Sequence, residues 1–251
     1  MEIITSLKNP RVALWRSLKR TSVRRECGLF LVEGDKSVAE ALESGFEAEA
    51  VLLDTDRPVP ENLDPDLPLV QLPAHVLAAV CDTKTPQGIA AIMRMAPRLV
   101  TGKRIVALDG VQDPGNVGTI IRTADAAGLD GVLLSADCAD PYGPKVLRAT
   151  MGSVFHLPVE VTDNLPRRLK EYAVQGIPVI SSQLDGTPFD AWKSNGAGFV
   201  LVIGSEGNGV SDPIRALATD HLCLPMRGKA ESLNAAVAAG IMMYALMRDQ
   251  P

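Results

Sequence analysis

The chain has 251 residues, 46% of them hydrophobic but only 4% aromatic, with a formal net charge of −5. That length holds two domains, and the aliphatic content supplies a sizeable core built from Ala, Val, Leu and Ile. The acidic total excludes a protein that coats a polyanion through its bulk charge.

Along the chain, Val12, Trp15 and Leu18 recur at helical spacing and predict a helix over about Asn9 to Lys19, with Pro10 in its first turn. Gly28-Leu-Phe-Leu-Val-Glu33-Gly34 reads as a buried strand ending in a turn. A helix from Asp35 to Ser44 follows, ended by Gly45. Ala50 to Leu53 is a second strand, the proline-rich stretch Thr55 to Pro68 a loop, and Leu69 to Leu72 a third strand. A helix from Ala74 to Val80 and a strand from Gly88 to Met93 complete a small α/β unit. Ala96-Pro97 to Gly102-Lys103 is the expected linker, giving domains of residues 1–96 and 103–251.

Beyond the linker, strands are expected at Arg104 to Leu108, Gly131 to Leu134, Phe155 to Val161, Pro178 to Ser181, Gly198 to Ile203 and His221 to Leu224. Helices are expected at about Val117 to Ala127, Lys145 to Met151, Leu165 to Gln175, Ser211 to Leu217 and Ser232 to Met247. Strands alternating with helices imply a mostly parallel sheet covered on both faces.

Cys27, Cys81, Cys138 and Cys223 are scattered without a CxxC, which predicts reduced thiols, and isolated His75, His156 and His221 argue against zinc. The start at Met1 has no apolar signal core, and no apolar run reaches membrane-spanning length. The expectation is a soluble cytoplasmic protein with no metal and no membrane contact. Against the acidic total, the first 25 residues carry Lys8, Arg11, Arg16, Lys19, Arg20, Arg24 and Arg25 with Glu2 as their one acid. Such a block either meets nucleic-acid phosphates or is the solvated face of an amphipathic helix.

Three segments concentrate polar chemistry at strand ends. Asn116-Val-Gly118-Thr-Ile-Ile-Arg122 places an N-cap candidate, Asn116, ahead of a guanidinium that can hold a phosphate or a ribose hydroxyl. The plainer reading is a capped helix with Arg122 paired to Asp125. Gly204-Ser-Glu206-Gly-Asn-Gly209 follows an apolar run, and its glycines leave backbone groups open to a ligand. It lacks the GxGxxG spacing, and Glu206 within the turn would repel a pyrophosphate. Leu224-Pro-Met-Arg-Gly228 runs into Ser232-Leu-Asn234 before an apolar helix, where Ser232 and Asn234 are both natural caps. On that helix Val237, Ile241, Met242 and Tyr244 read as core, and Met151-Gly-Ser153 reads as a plain turn.

The trio, in this order, resembles the three motifs of the SpoU (TrmH-type) RNA ribose 2′-O-methyltransferases of the SPOUT superfamily, over about Ile105 to Leu246. Ile4-Thr-Ser-Leu-Lys-Asn-Pro-Arg11, Phe30-Leu-Val-Glu-Gly34 and Thr85-Pro-Gln-Gly-Ile89 resemble the small RNA-binding domain that often precedes it. The resemblance implies an S-adenosylmethionine-dependent enzyme with a deep C-terminal trefoil knot, methylating a ribose 2′-hydroxyl of rRNA or tRNA, with the N-terminal domain favouring rRNA. It implies a cofactor pocket of Ile203, Gly204, Gly207, Leu224, Met226, Ser232, Leu233 and Asn234, with Ser181 to Gln183 as a further candidate. It also implies a catalytic set of Asn116, Arg122, Glu206, Ser232 and Asn234, a homodimer with the closing helix (Val237, Ile241, Met242, Tyr244) and the Asn116–Ala127 helix at its interface, and an RNA-facing surface at Met151-Gly-Ser153. A guanidinium stays charged in proteins, so Arg122 is expected to fix the adjacent phosphate while the proton leaves to phosphate, water or Glu206. The alternatives are a non-catalytic RNA-binding protein of the same fold, or a base-methylating relative, against which the NxGxxxR element argues.

Overall fold

The computed structural model describes residues 2–60, 63–96 and 98–248. Met1, two residues of the proline-rich loop (61 and 62), Pro97 of the expected linker and the last three residues lie outside it. The chain forms two compact units, Met1–Pro97 with Tyr142–Phe155, and Arg98–Pro141 with His156–Pro251. Residues 142–155, which the expected domain of residues 103–251 would include, group with the first unit.

The first unit contains β1 (Glu2–Ile3), α1 (Pro10–Ser17), α2 (Thr21–Cys27), β2 (Leu29–Glu33), α3 (Asp35–Glu43), β3 (Ala48–Asp54), β4 (Leu69–Leu72), α4 (Ala74–Val80) and β5 (Ile89–Arg94). Asn9 caps α1, its side chain accepting the Arg11 N–H at 2.9 Å, with Pro10 in the first turn. The sheet order is β1-β4-β3-β5-β2, with β5 antiparallel to both neighbours. Val12, Trp15 and Leu18 pack with Leu31, Leu52 and Ile92 in one buried cluster. Phe30, Phe46, Tyr142 and Phe155 form an aromatic cluster with ring centroids 4.5–5.9 Å apart. Tyr142 and Phe155 are what draw residues 142–155 to this unit. β1 and α2 are not foreshadowed by the sequence pattern. α2 is short and carries few apolar residues, and Gly28 stops it in the left-handed region at φ +66°.

The second unit continues with β6 (Arg104–Asp109), α5 (Pro114–Ala126) and β7 (Gly131–Ser135), and the chain then runs through α6 (Pro144–Thr150) and α7 (Ser153–His156). It resumes with β8 (Val159–Thr162), α8 (Leu165–Val174), β9 (Val179–Pro188), β10 (Phe199–Gly204), α9 (Asp212–Leu217), β11 (Asp220–Cys223) and α10 (Ala235–Arg248). The six strands are all parallel, in the order β11-β9-β10-β6-β7-β8. Phe155, expected at the start of a strand, lies in α7, and the strand begins only at Val159. A run as short as Val154-Phe155 has too few residues for its period to show. Ile105, Ala107, Leu133, Val200 and Val202 are buried together with Leu169 and Tyr172 of α8, as expected for strands covered on both faces.

From β6 the chain steps outward through β7 to β8, and later fills the other side through β9, β10 and β11. The switch of direction lies between β6 and β10, and in open parallel sheets ligands bind at the carboxyl ends of strands beside such a switch.

Candidate active site

Asp109, the last residue of β6, lies beside Gly204, the last residue of β10. This register brings the first two polar segments together at the carboxyl edge of the sheet. Asp109 Oδ2 also accepts the Ser211 N–H at 2.7 Å, which ties the end of the β10 loop back to β6.

Asn116 is not the helix cap that the sequence suggested. α5 begins earlier, with Asp113 as its cap accepting the Asn116 N–H at 2.8 Å and Pro114 in the first turn. Asn116 therefore sits inside the first turn with its side chain released for another task. Its Nδ2 donates to Glu206 Oε1, and its Oδ1 accepts from Asn234 Nδ2 at 2.9 Å. Asn234 in turn caps α10, its Oδ1 accepting the Ala236 and Val237 N–H groups at 3.0 and 3.2 Å. The helix expected from Ser232 thus starts at Ala235, and Ser232 lines a cavity. One residue from each of the three segments joins this chain of hydrogen bonds.

The glycine segment is a closed loop. Ser205 and Gly209 exchange backbone hydrogen bonds of 3.1 and 2.8 Å. A Cβ on Gly204 would overlap the backbone of Gly209 and Val210, and Gly209 itself sits at φ +67°. Those two glycines serve the loop's own closure. Gly207 carries neither constraint: it does not sit at positive φ, and beyond its chain neighbours no heavy atom lies within 4 Å of where its Cβ would be.

Next to this chain opens a cavity of about 670 Å³, inside the roughly 300–1,000 Å³ range of small-molecule sites. Of the expected cofactor residues, Ile203, Gly204, Gly207, Leu224, Met226, Ser232 and Leu233 line it, and Asn234 does not. Ser182 and Gln183 also line it, while Ser181 is buried and bonded to His221 Nδ1 at 2.7 Å. Sequence reasoning missed Asp185 and Arg215. Asp185 lies on β9, which runs on to Pro188, past the expected end at Ser181. Arg215 comes from the short α9 behind the glycine loop and carried no signal.

Arg122 projects from α5 into solvent, and no hydrogen bond or ion pair engages it among the described residues. The expected alternative partner, Asp125, lies instead 3.7 Å from His156 Nδ1. The cysteine near this edge is unsuited to nucleophilic chemistry, since burial pushes the Cys138 pKa upward. Among the described residues no cluster of His, Cys, Asp and Glu could hold a metal, and no helix is long and apolar enough to cross a membrane.

The basic segment of the first unit divides. Lys8, Arg16 and Arg20 are exposed, with side chains free of ion pairs among the described residues. Arg11 pairs with Glu2 and lies 4.9 Å over the Trp15 ring, and Lys19 donates to the Cys81 carbonyl at 2.6 Å. Arg24 departs from the expected RNA-binding role. It is 2% exposed and donates to the Leu18 carbonyl at 2.6 Å and to Thr21 Oγ1 at 2.9 Å, so its charge serves the packing of α2.

A parallel sheet with three polar loops and a cavity at its carboxyl edge defines an α/β enzyme built to hold a nucleotide-sized ligand. Residues 103–244 match the SpoU rRNA Methylase family, and residues 9–91 match the MRM3-like substrate binding domain. The chain is 40% identical over 248 residues to the 23S rRNA (guanosine(2553)-2′-O)-methyltransferase RlmP of Bacillus subtilis (strain 168), covering 98% of this chain and 99% of that protein. Among solved structures, the AdoMet-bound rRNA methyltransferase from Sinorhizobium meliloti is similar with a TM-score of 0.88 at 30% identity, covering 98% of this chain and 97% of that one. The SpoU methyltransferase AviRb from Streptomyces viridochromogenes, in complex with AdoMet, has a TM-score of 0.87 at 28% identity, covering 96% and 98%. The chain belongs to the SpoU rRNA methylase family.

Proposed function

We propose that this protein transfers a methyl group from S-adenosylmethionine to a ribose 2′-hydroxyl of large-subunit rRNA, the RNA named for its Bacillus relative. The observation that carries this reading is the hydrogen-bonded chain Asn234–Asn116–Glu206, which joins the start of α10, the first turn of α5 and the loop after β10, with Glu206 lining the cavity. The cavity's chemistry suits the cofactor. Ile203, Leu224 and Leu233 offer apolar surface to an adenine, and open Gly207 admits close backbone approach. Asp185 and Glu206 suit hydroxyl and cationic groups, and Arg215 suits a carboxylate. When bound, the cofactor supplies an electrophilic methyl on a sulfonium.

The catalytic set on this reading is Asn116, Arg122, Glu206, Ser232 and Asn234. Arg122, exposed and unpartnered among the described residues, holds an RNA phosphate so that the ribose is aligned. Lys8, Arg16 and Arg20 add phosphate contacts from the substrate-binding unit.

Three further features belong to the same reading. Val237, Ile241 and Tyr244 are about half exposed (51%, 43% and 56%) on one side of α10, whereas Met242 is buried, so this stripe is the contact face of a homodimer. The loops after β10 and β11 form the trefoil knot of the SPOUT fold. The enzyme works in the cytoplasm, where its RNA substrate is made.

Isothermal titration calorimetry with S-adenosylmethionine tests the reading. Saturable 1:1 binding that is lost in Met226→Glu supports it, and absence of binding to the wild-type protein overturns it.

A further inference from the structure

The ladder between β9 and β11 breaks beside the cavity. Its register pairs Ser181 with His221 and then jumps to Thr187 opposite Leu222, so residues 182–186 stand out of the ladder. Ser182, Gln183, Leu184 and Asp185 of this excursion line the cavity. Both ends of the excursion are anchored on β11. At the far end a Cβ on Gly186 would overlap the backbone of His221 and Leu222, and the Gly186 carbonyl accepts from Cys223 Sγ at 3.0 Å. At the near end Ser181 Oγ, Gln183 Nε2 and His221 Nδ1 form a triangle. Its sides are 2.7 Å from His221 to each partner and 2.8 Å between Gln183 and Ser181.

An amide nitrogen only donates, so the contact from Gln183 Nε2 requires a lone pair on His221 Nδ1. The imidazole in this arrangement is neutral, with its proton on Nε2. Gln183 Nε2 also donates to Ser181 Oγ, and Gln183 Oε1 has no hydrogen-bond partner among the described residues. A charged imidazole would carry N–H on both nitrogens and set two donors against each other at 2.7 Å. The Gln183 amide relieves this by turning over, so that Oε1 accepts from His221 and Nε2 takes the free position. We propose, on the methyltransferase reading above, that Gln183 Oε1 accepts a hydrogen bond from a donor group of S-adenosylmethionine, and that His221 is a positioning residue that sets this polarity. The cofactor therefore binds the protein with neutral His221 more tightly, and its affinity falls as His221 takes up a proton.

Two variants separate this polarity control from a merely structural role. In His221→Asn an amide oxygen can stand where Nδ1 stands, accepting from the same partners without ever taking a charge. Gln183→Leu keeps the length of the side chain and removes the acceptor. Other charged or titratable groups on the elements packed around the triangle are Asp220 and Cys223 on β11, Asp185 on β9, Asp212 and Arg215 on α9, Arg167, Arg168, Lys170 and Glu171 on α8, and Glu206 lining the cavity. They and the cofactor's own ionising groups are common to every variant, so the ratio of wild-type to His221→Asn affinity at each pH reports His221.

The experiment measures S-adenosylmethionine affinity by titration calorimetry between about pH 8 and pH 5.5, the range in which histidine changes charge. Beside it, nuclear magnetic resonance follows the His221 imidazole and the Gln183 side-chain amide in cofactor-free protein. The Gln183 amide resonances should move with the same midpoint as His221. The affinity ratio should fall about tenfold as His221 becomes charged, the worth of one hydrogen bond. By reciprocity the bound cofactor should lower the His221 midpoint by about one pH unit. At pH 8, His221→Asn should bind within about threefold of wild type, and Gln183→Leu about tenfold more weakly. An affinity ratio that stays constant with pH, or Gln183 amide resonances that ignore the His221 titration, overturns the proposal. If the wild-type protein binds no S-adenosylmethionine at any pH, the methyltransferase reading falls, while the amide resonances still decide whether His221 sets the polarity of Gln183.

Discussion

Gly204, at the end of β10, and Gly207, in the loop that follows, are three residues apart, yet their replacement by alanine should differ in its effect on stability. At Gly204 the new methyl overlaps the backbone of Gly209, so the loop must open and lose both Ser205–Gly209 hydrogen bonds. Two bonds at roughly 1 kcal/mol each give about 2 kcal/mol, which in a protein of this size lowers Tm by about 4–8 °C. Because the opened loop lines the cavity, the same 2 kcal/mol weakens S-adenosylmethionine binding by about 30-fold. At Gly207 no atom stands within 4 Å of the new methyl, so Tm should stay within about 1 °C. Because Gly207 lines the cavity, the added methyl should affect affinity without affecting the fold. Differential scanning calorimetry and titration calorimetry on the two variants measure both quantities. A Gly204→Ala protein with wild-type Tm and wild-type affinity would refute the idea that closure of this loop shapes the site.

Arg122→Lys should leave Tm unchanged, because the side chain has no partner among the described residues, and should lower kcat at least tenfold if its paired donors hold the phosphate; timed methyl-transfer assays measure this. Lys8→Glu, Arg16→Glu and Arg20→Glu should each weaken rRNA binding and reduce the salt slope by about 0.7–0.9 for every phosphate left unneutralised. Arg24→Glu should instead unfold the first unit, as urea denaturation would show, because it removes the donor to the buried Leu18 carbonyl. Ile241→Glu should shift the protein toward monomer in sedimentation equilibrium while its secondary structure is retained. Burial, with the Glu33 carboxylate adding to it, pushes the Cys81 thiol from 9.0 up to about 12. Between those values the unfolded chain loses the proton and the folded chain keeps it. Stability from this group is therefore full below about pH 9 and is lost as pH rises toward 12. Cys81→Ala should flatten that alkaline decline in urea denaturation.

Much of this molecule was legible in its sequence, and the departures have local causes. β4, with Leu69–Leu72, and α4, with Ala74–Val80, fall where proline and apolar spacing put them. The three polar segments were visible as strand ends because each buried run stops at a glycine, proline or carboxylate. What the sequence could not show was which capping residue caps. Asp113, Asn116, Ser232 and Asn234 are all plausible caps, and only tertiary contact decides that Asp113 and Asn234 fill that role. Asn116 is thereby freed to link Asn234 to Glu206. Arg24 misled for a related reason. Nothing in Thr21–Cys27 distinguishes a cation aimed at solvent from one bent back onto the Leu18 carbonyl, and that carbonyl is an acceptor only because α1 has ended there. The grouping of residues 142–155 with the first unit was equally hidden, because it depends on Tyr142 and Phe155 meeting Phe30 and Phe46, aromatic side chains more than a hundred residues away.

Ribose methylation of rRNA is measured directly by transfer of isotopically labelled methyl from S-adenosylmethionine to unmodified large-subunit rRNA, followed by alkaline hydrolysis. A methylated 2′-oxygen cannot attack the neighbouring phosphodiester, so the account predicts the label in an alkali-resistant dinucleotide, at a rate cut at least tenfold by Glu206→Gln. Label recovered in mononucleotides, as a methylated base would give, or no transfer at all, would contradict it.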